Sequence, residues 1–193
     1  MTTLSVANIT IPNILSSYRI LVFPLIMYFI FSGQEQLFAI FLVVNLVSDI
    51  LDGLIARVFN QKTAIGARLD SIGDIGTYIA AICGVGIFKW QDLSSNSIPF
   101  YVFIGMYVLM YLVSFLKFKK VPSLHLYTFK LTGYVHGIFF AVLFLDEFHL
   151  WFYYLAMGWG LLAIVEEIVV LFVLKSLKSD VKGLYWVLKE QQK

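Results

Sequence analysis

"SDILDGLIARVFNQKTAIGARLDSIGDIGTY", residues 48–78, sets four aspartates and two arginines into a chain that is 60% hydrophobic. Asp49 and Asp52 are three residues apart. At about 100° per residue, Asp49, Asp52, Gly53 and Ala56 share one stripe of a helix. After the QKT connection, Gly66, Asp70 and Asp74 repeat every four residues, with Gly73 and Thr77 beside them, and form a second stripe. Two helices joined by so short a turn run antiparallel, so the spacing predicts four carboxylates at about one depth, facing each other.

The surrounding sequence decides what medium holds that hairpin. The chain has 193 residues, 17% aromatic and only 13% charged, and its mean hydropathy is +0.86. An average soluble domain carries about twice that share of charge. Six apolar runs, approximately 16–31, 37–59, 64–88, 99–118, 124–145 and 150–174, are each long enough to cross a hydrocarbon core about 30 Å thick. The fold expected is all-α, an integral membrane protein of six transmembrane helices forming a single domain over residues 1–193. Residues 1–15, with Asn8, Thr10 and Asn13 interrupting Ile9, Ile11, Ile14 and Leu15, suit an interfacial amphipathic helix broken near Pro12. That segment lacks the charged start and small-residue cleavage site of a signal peptide. Residues 175–193 read as a cytoplasmic tail whose lysines and aromatics suit a surface-lying helix.

Basic residues give the orientation. With both termini in the cytoplasm, all 14 lysines and arginines but Lys89 fall in or near cytoplasmic segments, which is the positive-inside pattern for an even number of spans. Such asymmetry points to lipid headgroups and away from nucleic acid. Cys83, the one cysteine, excludes an intrachain disulfide and reads as packing.

Four carboxylates at one intramembrane depth need positive charge, because a single charge at mid-helix costs about 2.5–3.5 kcal/mol even on the lenient insertion scale. Arg57 and Arg68 can neutralise part of it. Two divalent cations would balance it, and oxygen-only ligands favour Mg²⁺, Mn²⁺ or Ca²⁺ over zinc. Paired ions of this kind serve displacement at phosphorus.

The pattern Asp49-x-x-Asp52-Gly53-x-x-Ala56-Arg57, eight residues, Gly66-x-x-x-Asp70-x-x-x-Asp74 resembles the signature of the CDP-alcohol phosphotransferase (CDP-alcohol phosphatidyltransferase) family at every fixed position. At residue frequencies of about 0.05–0.08, so full a match arises by chance on the order of 10⁻¹⁰ times per starting position. "IPNILSSYRILVFP", residues 11–24, is similar to the leading segment of bacterial phosphatidylglycerophosphate and phosphatidylserine synthases. The resemblance implies transfer of the phosphatidyl group of CDP-diacylglycerol to a small polar alcohol, with release of CMP, by a homodimer in a bacterial inner membrane with its active site on the cytoplasmic side. It implies two divalent cations, Mg²⁺ or Mn²⁺, on Asp49, Asp52, Asp70 and Asp74, with Asp74 also taking the acceptor's proton. Gly53, Ala56, Arg57 and Gly66 would receive the donor.

The acceptor is less sharply written. Arg68, Lys130 and Thr132 are candidate acceptor residues, Lys130 standing inside the fifth run about two turns from its start, which suits a phosphate-bearing alcohol such as glycerol 3-phosphate. "LDS" at residues 69–71 looks more like the serine and inositol phosphate branches. A CDP-aminoalcohol donor with diacylglycerol as acceptor, and a carboxylate-lined cation transporter, are the other readings. Glu166 and Glu167, inside the sixth run, read equally as a cavity wall or a structural pair, and His136 as a hydrogen-bonded interhelix histidine.

Overall fold

The computed structural model describes residues 10–61, 63–120, 124, 126–177 and 181–191. Every regular element among them is a helix: α1 (Ile11–Phe31), α2 (Glu35–Val58), α3 (Ala64–Phe88), the short α4 (Trp90–Ser94), α5 (Ser97–Phe118), α6 (Tyr127–Leu145), α7 (Leu150–Val173) and α8 (Leu184–Gln191). Six of these are long and apolar enough to cross a membrane, and they agree with the six apolar runs to within a few residues at most ends. The chain divides into two compact units, residues 1–92 with 141–147, and residues 93–140 with 148–193.

In the first unit α1 packs on both α2 and α3, more extensively than those two pack on each other. The helix starts at Ile11. Thr10 caps it by accepting from the Asn13 N–H, and Pro12 sits in the first turn, where its missing N–H costs no hydrogen bond. Residues 11–15 therefore continue without a break into the first span, contrary to the interruption expected at Pro12; residues 1–9 of the interfacial segment lie outside the described residues, as does Lys62. Away from the aspartates the core is mainly aliphatic, with a cluster of aromatic rings set into it. Phe38, fully buried, meets Phe144 edge to face at 4.8 Å and Phe88 at 5.5 Å. At the same end Lys89 pairs with Glu35 at 2.9 Å, so the one lysine expected outside has its charge met by the start of α2.

In the second unit α7 packs against α5 and α8. The Tyr153 hydroxyl donates to the Asn96 carbonyl at 2.8 Å and accepts from the Phe100 N–H at 3.0 Å, so one buried side chain satisfies the start of α5. His136 Nε2 lies 3.1 Å from the Ala156 carbonyl and its ring 5.0 Å from Phe103, which is the interhelix role expected of it. Glu166 resolves toward structure. Its carboxylate accepts from the Thr128 hydroxyl at 2.5 Å and from the Leu184 N–H at 2.9 Å, closing the first turn of α8. Glu167 is buried beside it.

The start of α6 differs from expectation. Residues 124 and 126 are not helical, because the Leu124 carbonyl accepts from the Val181 N–H at 2.8 Å and the Tyr127 N–H donates to the Lys182 carbonyl at 3.2 Å. With its backbone spent on the returning tail, the helix begins only at Tyr127; residues 121–123 and 125, and residues 178–180 of the tail, lie outside the described residues. Lys130 is consequently in the first turn of α6, not two turns in. It is exposed, with its ammonium 5.5 Å from the Tyr127 ring centre.

Candidate active site

The two aspartate stripes come together as the spacing predicted, and a third helix joins them. One oxygen from each of Asp49, Asp70 and Asp74 lies within 4.8 Å of the others. These three carboxylates are each nearly half exposed, at 42%, 44% and 47%, whereas Asp52 is 5% exposed. Asp52 is therefore the inner member of the group. Its Oδ2 accepts from the Ser16 hydroxyl on α1 at 2.8 Å.

The cation that meets all four is Arg19, from the middle of α1, at 1% exposure. Its Nη1 donates to Asp49 and, at 2.8 Å, to Asp74, while Nη2 donates to Asp52 at 3.1 Å and to Asp70 at 2.6 Å. Arg57 and Arg68, expected to share this neutralisation, are exposed, and Arg57 Nε is taken by its own helix at the Gly53 carbonyl, 2.8 Å away. A guanidinium suits the inner position because it presents five donors in a fixed fork and stays charged when buried.

Small residues on the stripes make room for α1. A Cβ at Gly73 would lie 3.1 Å from Arg19 Cζ and 3.2 Å from Nε, and one at Gly66 would run into the Asn13 amide oxygen and come 2.8 Å from Thr63 Oγ1. Thr63 ties that corner: its hydroxyl donates to Asn13 at 3.1 Å and accepts from the Gly66 N–H at 2.9 Å, capping α3. At Gly53 the nearest side-chain atom is Arg57 Nη2, at 3.3 Å. A side chain at Gly53 would thus meet only Arg57 of its own helix, beside the half-buried Ala56, whereas the space at Gly66 is filled by Asn13 of α1. Farther along, Thr77 donates to the Gly73 carbonyl at 2.9 Å and accepts from Asn45 at 3.4 Å.

Residue comparison decides the family, since its pattern, CDP-alcohol phosphatidyltransferase, matches residues 9–173. The chain belongs to the CDP-alcohol phosphatidyltransferase family. Among its relatives, a CDP-diacylglycerol--glycerol-3-phosphate 3-phosphatidyltransferase of Aquifex aeolicus is 33% identical over 96 residues, 49% of this chain and 52% of that protein. A cardiolipin synthase (CMP-forming) of Streptomyces coelicolor is 35% identical over 91 residues, 44% and 41% of the two chains. The corresponding protein of Rattus norvegicus is 29% identical over 116 residues, 59% and 37%. The match to the Aquifex protein thus spans about half its length. No solved structure matches the chain significantly.

As a CDP-alcohol phosphatidyltransferase site, the donor set fits a hard divalent cation: carboxylate oxygens that converge and remain half exposed. Of the acceptor candidates, Arg68 is exposed on α3, and Thr132 is buried with its hydroxyl on the Thr128 carbonyl at 2.9 Å. Sequence reasoning missed Arg19, Ser16 and Asn13. Their signal was a polar stripe at positions 13, 16 and 19, three residues apart, in a mainly apolar helix.

Proposed function

We infer that this protein transfers the phosphatidyl group of CDP-diacylglycerol to a small polar alcohol and releases CMP. The observation that supports this most is the convergence of Asp49, Asp70 and Asp74, half open, at one end of α2 and α3. Two divalent cations, Mg²⁺ or Mn²⁺, bound there would supply neutralisation of the diphosphate and of charge developing at phosphorus. Asp49, Asp52, Asp70 and Asp74 would hold them, and Gly53, Ala56 and Arg57 would receive the nucleotide side of the donor. Asp74 takes the proton of the acceptor hydroxyl as its oxygen bonds to the phosphatidyl phosphorus. The bond from that phosphorus to the bridging oxygen breaks, and CMP leaves with the electron pair.

Glycerol 3-phosphate is the acceptor we favour, in line with the name of the Aquifex relative; a cardiolipin-forming reaction, serine and inositol phosphate follow. Arg68, Lys130 and Thr132 are the proposed acceptor residues. The enzyme works as a homodimer in a bacterial inner membrane; the placement of its basic residues favours termini and site on the cytoplasmic side.

The test is incubation of the purified protein with CDP-diacylglycerol, Mg²⁺ and each acceptor separately, followed by product mass and CMP release. Phosphatidylglycerophosphate with stoichiometric CMP is expected, abolished by EDTA and restored by Mg²⁺ or Mn²⁺. Cation flux without CMP, or full turnover in EDTA, refutes the reading.

A further inference from the structure

The carboxylates that converge for a cation are the ones already held by a cation of the chain itself. Arg19 donates to Asp49, Asp70 and Asp74, the three whose oxygens lie within 4.8 Å of each other, and to Asp52 behind them. Nothing else on α1 is charged. The guanidinium is almost fully buried while the three carboxylates are nearly half exposed, so it meets the group from the protein side. The approach is built in: Gly73 presents no side chain where Arg19 lies along α3, and Ser16, one turn earlier, holds Asp52.

We propose that Arg19 is a resident counter-cation of the candidate metal site. It holds the four carboxylates together in the metal-free protein, and it competes with divalent ions for the same carboxylate charge. The proposal rests on the reading that Asp49, Asp52, Asp70 and Asp74 bind divalent cations. Its physical basis is that like charges a few ångströms apart cannot be kept together without a positive partner. A fixed positive charge beside a metal also opposes the metal, since the interaction falls only as the inverse of distance at reduced dielectric. Arg19 and metal are then negatively coupled by linkage, each weakening the other. A purely structural post would instead stabilise metal-free and metal-loaded protein alike.

The experiment compares the full chain with Arg19→Met and Arg19→Lys in detergent, using Mn²⁺ alone as probe. Mn²⁺ affinity is read by electron paramagnetic resonance of the free ion, and the thermal midpoint is measured in EDTA and at saturating Mn²⁺. Arg19→Met should lower the midpoint in EDTA, recover most of the loss in Mn²⁺, and bind Mn²⁺ about tenfold more tightly than the natural chain. Arg19→Lys keeps the charge but not the fork, so it should change in the same direction by less. If Arg19→Met is not recovered folded, Arg19→Lys alone must show that sign. Mn²⁺ binding unchanged or weaker in the variants, or an equal loss of stability with and without Mn²⁺, overturns the proposal while leaving the metal reading intact. Absence of Mn²⁺ binding by the natural chain overturns both.

Discussion

Gly73→Ala, compared with Gly86→Ala on the same helix, isolates the contact between α3 and Arg19. A Cβ at Gly73 would lie 3.1, 3.2 and 3.4 Å from Arg19 Cζ, Nε and Cβ, while one at Gly86 would have nothing within 4 Å. Ordinary carbon contacts sit at about 3.5–4.0 Å, so Arg19 would have to retreat by roughly 0.5 Å. It cannot do so freely, because its two terminal nitrogens are fixed at 2.8 Å to Asp74 and 2.6 Å to Asp70, both on α3. Overpacking of this kind costs about 1–3 kcal/mol, and the helix gains about 0.5–1 kcal/mol from replacing glycine by alanine. Because that gain is common to both substitutions, their difference reads the contact alone, about 1–3 kcal/mol. Thermal unfolding in detergent should place Gly73→Ala below Gly86→Ala by several degrees, at about 2–4 °C per kcal/mol for a chain of this size. Turnover should fall roughly tenfold or more in Gly73→Ala, since sub-ångström displacement of positioned groups is costly, and stay unchanged in Gly86→Ala. Equal midpoints and equal turnover for the two variants would refute the placement of Arg19 against α3.

Two further sets of substitutions test the carboxylates and the proposed acceptor residue. Asp49→Asn, Asp70→Asn and Asp74→Asn should each weaken Mn²⁺ binding more than Asp52→Asn, whose Oδ2 is engaged by Ser16 and Arg19; Asp74→Asn should also abolish turnover while retaining donor affinity, and equal losses in all four would contradict the division. Lys130→Gln should raise the KM for a phosphate-bearing acceptor several-fold with donor KM unchanged, whereas Lys119→Gln should do much less; equal behaviour of the two lysines in steady-state assays removes Lys130 from the acceptor site.

The spans and the aspartate stripes were legible because both are periodic signals. Hydropathy over about 20 residues finds a span whatever it packs against, and three- and four-residue spacing places Asp49, Asp52, Asp70 and Asp74 on facing stripes without tertiary knowledge. What escaped was set by partners distant in sequence. The start of α6 depends on Leu124 and Tyr127 pairing with residues 181 and 182, more than fifty positions away. Glu166 reads as an intramembrane charge until the Leu184 N–H and the Thr128 hydroxyl are seen on its two oxygens. Gly66 reads from sequence as room for the donor, yet a side chain there would meet Asn13, and the neighbouring Gly73 makes way for Arg19.

Arg19 changes the charge balance inferred from residues 48–78 alone. Judged by its aspartates, the hairpin carries four negative charges, and two divalent ions would make the site neutral. With Arg19 fixed among the carboxylates the protein's own sum is minus three, and two divalent ions would bring the site to plus one. A neutral site would draw an incoming diphosphate only through the local field of its ions, with no longer-range attraction from net charge. A site of net plus one favours an anionic donor over neutral lipid in a medium where charges interact strongly. The same arginine tells against a pore for cations: with three of its four partners half exposed and itself buried, it holds a positive charge behind any ion that would have to pass inward. Arg19→Met should therefore weaken donor affinity even as it tightens Mn²⁺, a pair of opposite changes. Measured by donor titration at saturating Mn²⁺, an unchanged or tighter donor affinity would show that the donor is insensitive to this charge.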